Sequence, residues 1–91
     1  MTVQVDNMSF STGHNLTASL VRDGAPELPE GYSYRLHIVH ETSKPTRVTA
    51  RIGYLIGDEW IEEVCFTEVT RSNLHGATVA AAVHAYEVWD Q

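Results

Sequence analysis

Apolar and polar residues alternate with a period of two through the middle of the chain, and the period becomes helical towards its end. Tyr32, Tyr34, Leu36 and Ile38 fall on one side of an extended segment, with Ser33, Arg35, His37 and Glu41 on the other. Such alternation marks a half-buried antiparallel strand. After a Ser43-Lys44-Pro45 turn, Val48, Ala50, Ile52 and Tyr54 repeat the pattern against Arg47, Thr49 and Arg51. Pairing the two apolar sides requires an even register sum, because a slip of one residue turns every side chain over. Gly57-Asp58 makes a tight hairpin turn into a third strand, Glu59 to Val69. There the alternation breaks: Ile61 has one parity, Val64 and Phe66 the other, and Glu62-Glu63 sit at the break. A β-bulge at that point keeps the three apolar residues on the core side. It also leaves both glutamates outside and sets Trp60 opposite Ile61.

Before this meander, Val3 and Val5 alternate with polar residues, as do Leu16, Ala18 and Leu20. The turn-forming run Ser11-Thr12-Gly13-His14-Asn15 lies between them, which predicts a hairpin with strands near 2–10 and 15–22. Asp23 to Gly31 holds two glycines and two prolines and reads as a stiff surface loop. From Thr70 to Trp89 the spacing is helical, with Thr70 or Ser72 as the N-cap. Leu74, Ala77, Ala81, Ala85 and Val88 form one apolar stripe, and Val79, Ala82, Val83 and Tyr86 form a second. Gly76, Ala80, His84 and Glu87 make up the side suited to water. A helix apolar on most of its circumference is covered on more than one side. The expected fold is therefore α+β: an antiparallel sheet of about five strands, a hairpin plus a three-stranded meander, with one C-terminal helix packed on it. The second stripe, Val79, Val83 and Tyr86, is the expected interface of a homo-oligomer.

Composition narrows the functional classes. At 91 residues the chain has room for one core, so a single domain spanning 1–91 is expected. The formal charge of −6 and only six Lys and Arg argue against direct contact with nucleic acid or anionic membrane. The least charged stretch, Ser72 to Tyr86, is shorter than the roughly 20 apolar residues of a membrane span. The start, MTVQVDNMSF, lacks the pattern of a signal peptide, and a lone Cys65 cannot form an internal disulfide. The expected location is cytoplasmic, of a cell or of an infected host.

Catalytic and metal-binding patterns are sparse. The sequence has no phosphate-binding glycine loop, CxxC, HExxH or nucleophile elbow. His37 and His40, three apart on a strand, point to opposite faces and are poor partners for one metal. His84 and Glu87 share a helix face but make only two ligands. Cys65 falls on the outward side of its strand near Arg51, without the surroundings that shape a nucleophile site. No enzymatic activity, cofactor or metal is expected. One surface pattern remains: Trp60 amid Asp58, Glu59, Glu62 and Glu63, with no cation in that run. Trp dominates binding hot spots and charge surrounds them as a rim. The sequence thus points to a small protein-binding module, of the size of an inhibitor or adaptor from a phage or mobile element, whose partner presents a basic surface. A structural subunit of a virion or other assembly is the first alternative. A small-ligand domain with Tyr32, Tyr34, Tyr54 and Tyr86 around a cavity is the second.

Overall fold

The computed structural model describes residues 5–10 and 14–89. The elements run β1 (Val5–Phe10), α1 (His14–Arg22), β2 (Tyr32–Glu41), β3 (Thr46–Ile56), β4 (Glu59–Thr70) and α2 (Leu74–Trp89). β2, β3 and β4 form the expected antiparallel meander, and β1 extends it along the other edge of β2, giving the order β1-β2-β3-β4. The β2–β3 register pairs Tyr34 with Ile52 and Ile38 with Val48, the even sum that puts the two apolar sides together.

The predicted first hairpin is not formed. Residues 14–22 are a helix, so the sheet has four strands rather than five and carries two helices rather than one. The part of that prediction covering residues 2–4 and 11–13 lies outside the described residues. Leu16, Ala18 and Leu20 suit a strand by alternation, but Leu16, Thr17, Leu20 and Val21 equally suit one face of a helix. Leu20 is buried and Leu16 and Val21 pack on the core, whereas Ala18 is exposed, as only the helical reading allows. The helix ends in a Schellman motif: the Ala25 amide donates to the Leu20 carbonyl and the Gly24 amide to that of Val21. Gly24 supplies the left-handed residue this motif needs, at φ 125°. Ala25 and Leu20 are both buried, the apolar contact that accompanies the motif.

Both helices lie on one face of the sheet. Tyr34, Leu36 and Ile38 of β2 and Val48, Ala50 and Ile52 of β3 meet Leu20 and the small residues Ala77, Ala81, Ala82 and Ala85 in one core. The alanines let α2 approach β3 and β4 closely; Leu74 and Val88 of the first stripe are exposed, and Ala82 of the second is buried. The opposite face, with Arg35, Arg47, Thr49, Arg51 and Cys65, has no helix against it among the described residues. Val79 and Tyr86 are half-buried within the same chain, Val79 beside Gly24 and Tyr86 beside Trp89, and Val83 is half-buried. The second stripe thus lies partly under the segment that follows α1. The N-cap of α2 is Asn73, whose Oδ1 accepts the Gly76 amide at 2.9 Å, rather than Thr70 or Ser72. Thr70 Oγ1 instead accepts the amides of Ser72 and Asn73, shaping the turn before the helix.

Among the described residues no helix is long and apolar enough to cross a membrane.

Candidate functional site

The β-bulge falls where the alternation breaks. Ile52 pairs with Val64 and Gly53 with Glu62, leaving Glu63 as the extra residue. Ile61, opposite Tyr54, and Val64 stay on the helix side, while Trp60, opposite Leu55, and Glu62 stand on the helix-free face. Trp60 does not project into water. It lies across Gly53, where a Cβ would come within 2.8 Å of indole Cζ2, and the Arg35 guanidinium stacks 4.2 Å from its ring centroid. The indole nitrogen is buried with no hydrogen-bond partner among the described residues. Half-buried in this way, Trp60 is the floor of the surface, with β3 beneath it and an Arg above.

This stack resolves a local conflict of charge. Arg35 and Arg51 stand directly opposite each other on β2 and β3, and like charges so placed repel. Arg51 Nε sits 2.9 Å from a Glu62 oxygen, an ion pair at too poor an angle for a hydrogen bond. Arg35 meets the negative face of the Trp60 ring instead. Arg47 pairs with Glu41 at 3.3 Å. Cys65 is exposed opposite Arg51, as expected, and the neighbouring Thr49 and Thr67 hydroxyls bond at 2.8 Å.

The structure divides the predicted acidic ring around Trp60. Asp58 and Glu59 are exposed at the hairpin end. Glu62 is exposed and committed to Arg51. Glu63, also exposed, turns towards the helix side, where its Oε1 accepts the Trp89 indole N–H at 2.8 Å. Around that bond Tyr32 lies 5.0 Å from Trp89 and 5.4 Å from Tyr54, and Tyr86 lies 5.9 Å from Trp89. These rings close the end of the core. Partial burial, then the charge of Glu63, raise the Tyr32 hydroxyl above its ordinary 10.0. Tyr34 is fully buried and donates to the Pro26 carbonyl at 2.7 Å, fastening the loop between α1 and β2.

Two exposed residues that sequence reasoning did not single out complete the hairpin end. Leu55 is 56% exposed and Ile56 is 62% exposed, consecutive residues on opposite faces of β3 at the hairpin end before the Gly57 turn. Their signal was present: the apolar run Tyr54-Leu55-Ile56 extends beyond the first residue of β2, Tyr32, which pairs with Tyr54. His40 and His84 have side-chain partners. His40 bonds Thr46 at 2.8 Å, and His84 bonds Glu68 at 2.9 Å while its ring packs on Phe66 at 4.9 Å. No protein-family model, curated protein or solved structure matches the chain.

Proposed function

We propose that the protein is a small non-enzymatic protein-binding module whose working surface is the end of the β3–β4 hairpin. The observation that carries this reading is the pair Leu55 and Ile56. Two large apolar side chains stand in water beside the exposed acids Asp58 and Glu59. Burying one such side chain is worth about 1.5–3 kcal/mol, which a binding partner realises and solvent does not. Trp60, held flat by Gly53 and Arg35, makes the root of this hairpin rigid, so little ordering cost accompanies docking. Asp58 and Glu59 favour a partner with a basic surface and speed encounter with it.

The test uses the tagged full chain to retain partners from a lysate of its native host, read by mass spectrometry. Leu55→Ser with Ile56→Ser alters only exposed side chains and is expected to abolish retention of the specific partner. Val88→Ser, a comparably exposed position on α2, is expected to leave it unchanged. Equal retention by all three proteins would remove the hairpin end as the working surface.

A further inference from the structure

An open groove of about 900 Å³ runs beside the hairpin end, along the edge of β2. Among the described residues β1 pairs with β2 as far as Phe10 opposite Leu36, and the groove lies beside the residues of β2 that come before that pair. Ala18 and Val21 of α1 form one wall, and Leu28 and Pro29 of the following loop form another. Tyr32 and Leu55 close the sheet side. The exposed, apolar Leu55 is therefore shared between the hairpin end and the groove.

Two backbone amides here already have acceptors. The Tyr34 amide donates to Thr17 Oγ1 at 3.2 Å and the Tyr32 amide to the Pro29 carbonyl at 3.1 Å. An added strand would have to displace both bonds, so pairing along this edge gains little. A helix needs no backbone partner. It presents an apolar stripe to such a groove and keeps its polar side in water.

Charge selects which helix. Glu27 and Glu30 line the groove and are exposed, and the hairpin that contributes Leu55 adds exposed Asp58 and Glu59. Arg22 is the one cation among the described lining residues, and its Nε stands 3.9 Å from Asp23. We infer that the groove between α1 and β2 receives a basic amphipathic helix of a protein partner, apolar side inward and Lys or Arg against Glu27 and Glu30. This rests on the reading of the hairpin end as a protein-binding surface and names the chemistry of the partner.

The experiment titrates isotopically labelled full chain with a synthetic Leu/Lys peptide of helical periodicity, and separately with its Leu/Glu counterpart, following backbone amide shifts. The expected result is saturable shifts at Val21, Leu28, Gly31 and Leu55 with the Leu/Lys peptide, weakening as salt rises, and none with the Leu/Glu peptide. Glu27→Lys with Glu30→Lys, at exposed loop positions, should weaken binding about tenfold or more at an unchanged melting temperature. Absence of saturable shifts overturns the proposal, as does equal binding of both peptides. Shifts confined to Leu55–Trp60 remove the groove while leaving the hairpin end standing. Concentration-dependent shifts at the groove without peptide would assign it to a second copy of the chain and overturn the proposal too. Failure of the hairpin reading itself is read separately, as retention unaffected by Leu55→Ser with Ile56→Ser.

Discussion

The Trp60 indole crosses the backbone of Gly53 at a distance that leaves no room for a side chain on that glycine. A Cβ there would meet indole Cζ2 at 2.8 Å and, closer still, the carbonyl oxygen of Ile61. Gly53 is needed for space, since it sits at the bulge where β3 and β4 change register and the indole lies on top. The same arrangement lets Trp60, rooted on β4, reach across β3 to Arg35 on β2. Bulge, glycine and aromatic therefore act as one unit. Trp60→Ala would uncover Gly53 and unseat Arg35 together, so a binding defect in that variant would mix affinity with stability. Leu55 and Ile56 give the cleaner test.

Gly53→Ala is accordingly expected to destabilise the fold by about 3 kcal/mol, at the upper end for overpacking, because one of the clashing atoms belongs to backbone. Urea unfolding followed by Trp fluorescence measures this. A loss below about 1 kcal/mol would mean that the bulge shifts easily and that the stack does not fix it.

The meander was legible because each of its strands has one wet side. Tyr34, Leu36 and Ile38 against Arg35 and His37 leave one register, and the break at Glu62-Glu63 leaves one place for the bulge. The segment 14–22 was not legible from alternation. Over nine residues Leu16 and Leu20 satisfy both periods, and only tertiary burial separates exposed Ala18 from buried Leu20. Gly24-Ala25 carried the missing signal, a Schellman end, but reads equally as the start of a loop. The acidic ring around Trp60 is divided for a related reason. A bulge inserts one residue, and Glu63 thereby faces Trp89 while Glu62 faces Arg51.

Gly76 illustrates a close approach that propensity alone does not explain. Gly inside a helix costs about 1 kcal/mol relative to Ala. Here a Cβ would stand 2.5 Å from Nδ2 of Asn73, the side chain that caps α2 by accepting the Gly76 amide. The close packing is against the helix's own cap. Gly76→Ala should therefore gain nothing in the parent protein, because the propensity gain is offset by a displaced cap. Asn73→Ala should cost about 1 kcal/mol. In the Asn73→Ala background Gly76→Ala should then stabilise by about 1 kcal/mol. A double-mutant cycle from denaturant midpoints measures the coupling. Additive effects would show that Gly76 and the cap are independent.

Alkaline pH should loosen the fold through its tyrosines, and Tyr34 is the principal one. Its hydroxyl is fully buried and donates to the Pro26 carbonyl, which a phenolate cannot do. Burial, then neighbouring Tyr86, hold its ionisation well above the ordinary 10.0. Tyr32 is raised in the same direction by partial burial and Glu63. Below the ordinary value both folded and unfolded tyrosines keep their protons, and stability does not depend on them. Above it the unfolded chain releases protons that the folded chain retains. The unfolded state then binds fewer, and the free energy of unfolding falls as pH rises. The limiting slope is about 1.4 kcal/mol per pH unit for Tyr34 while its folded form stays protonated. Tyr34→Phe loses the bond to Pro26 and should cost about 1 kcal/mol near neutral pH. It should also flatten the decline beyond the ordinary tyrosine value, so that the two stability curves converge at alkaline pH. Urea midpoints across that range decide the matter. Parallel curves would show that Tyr34 ionisation does not govern alkaline unfolding.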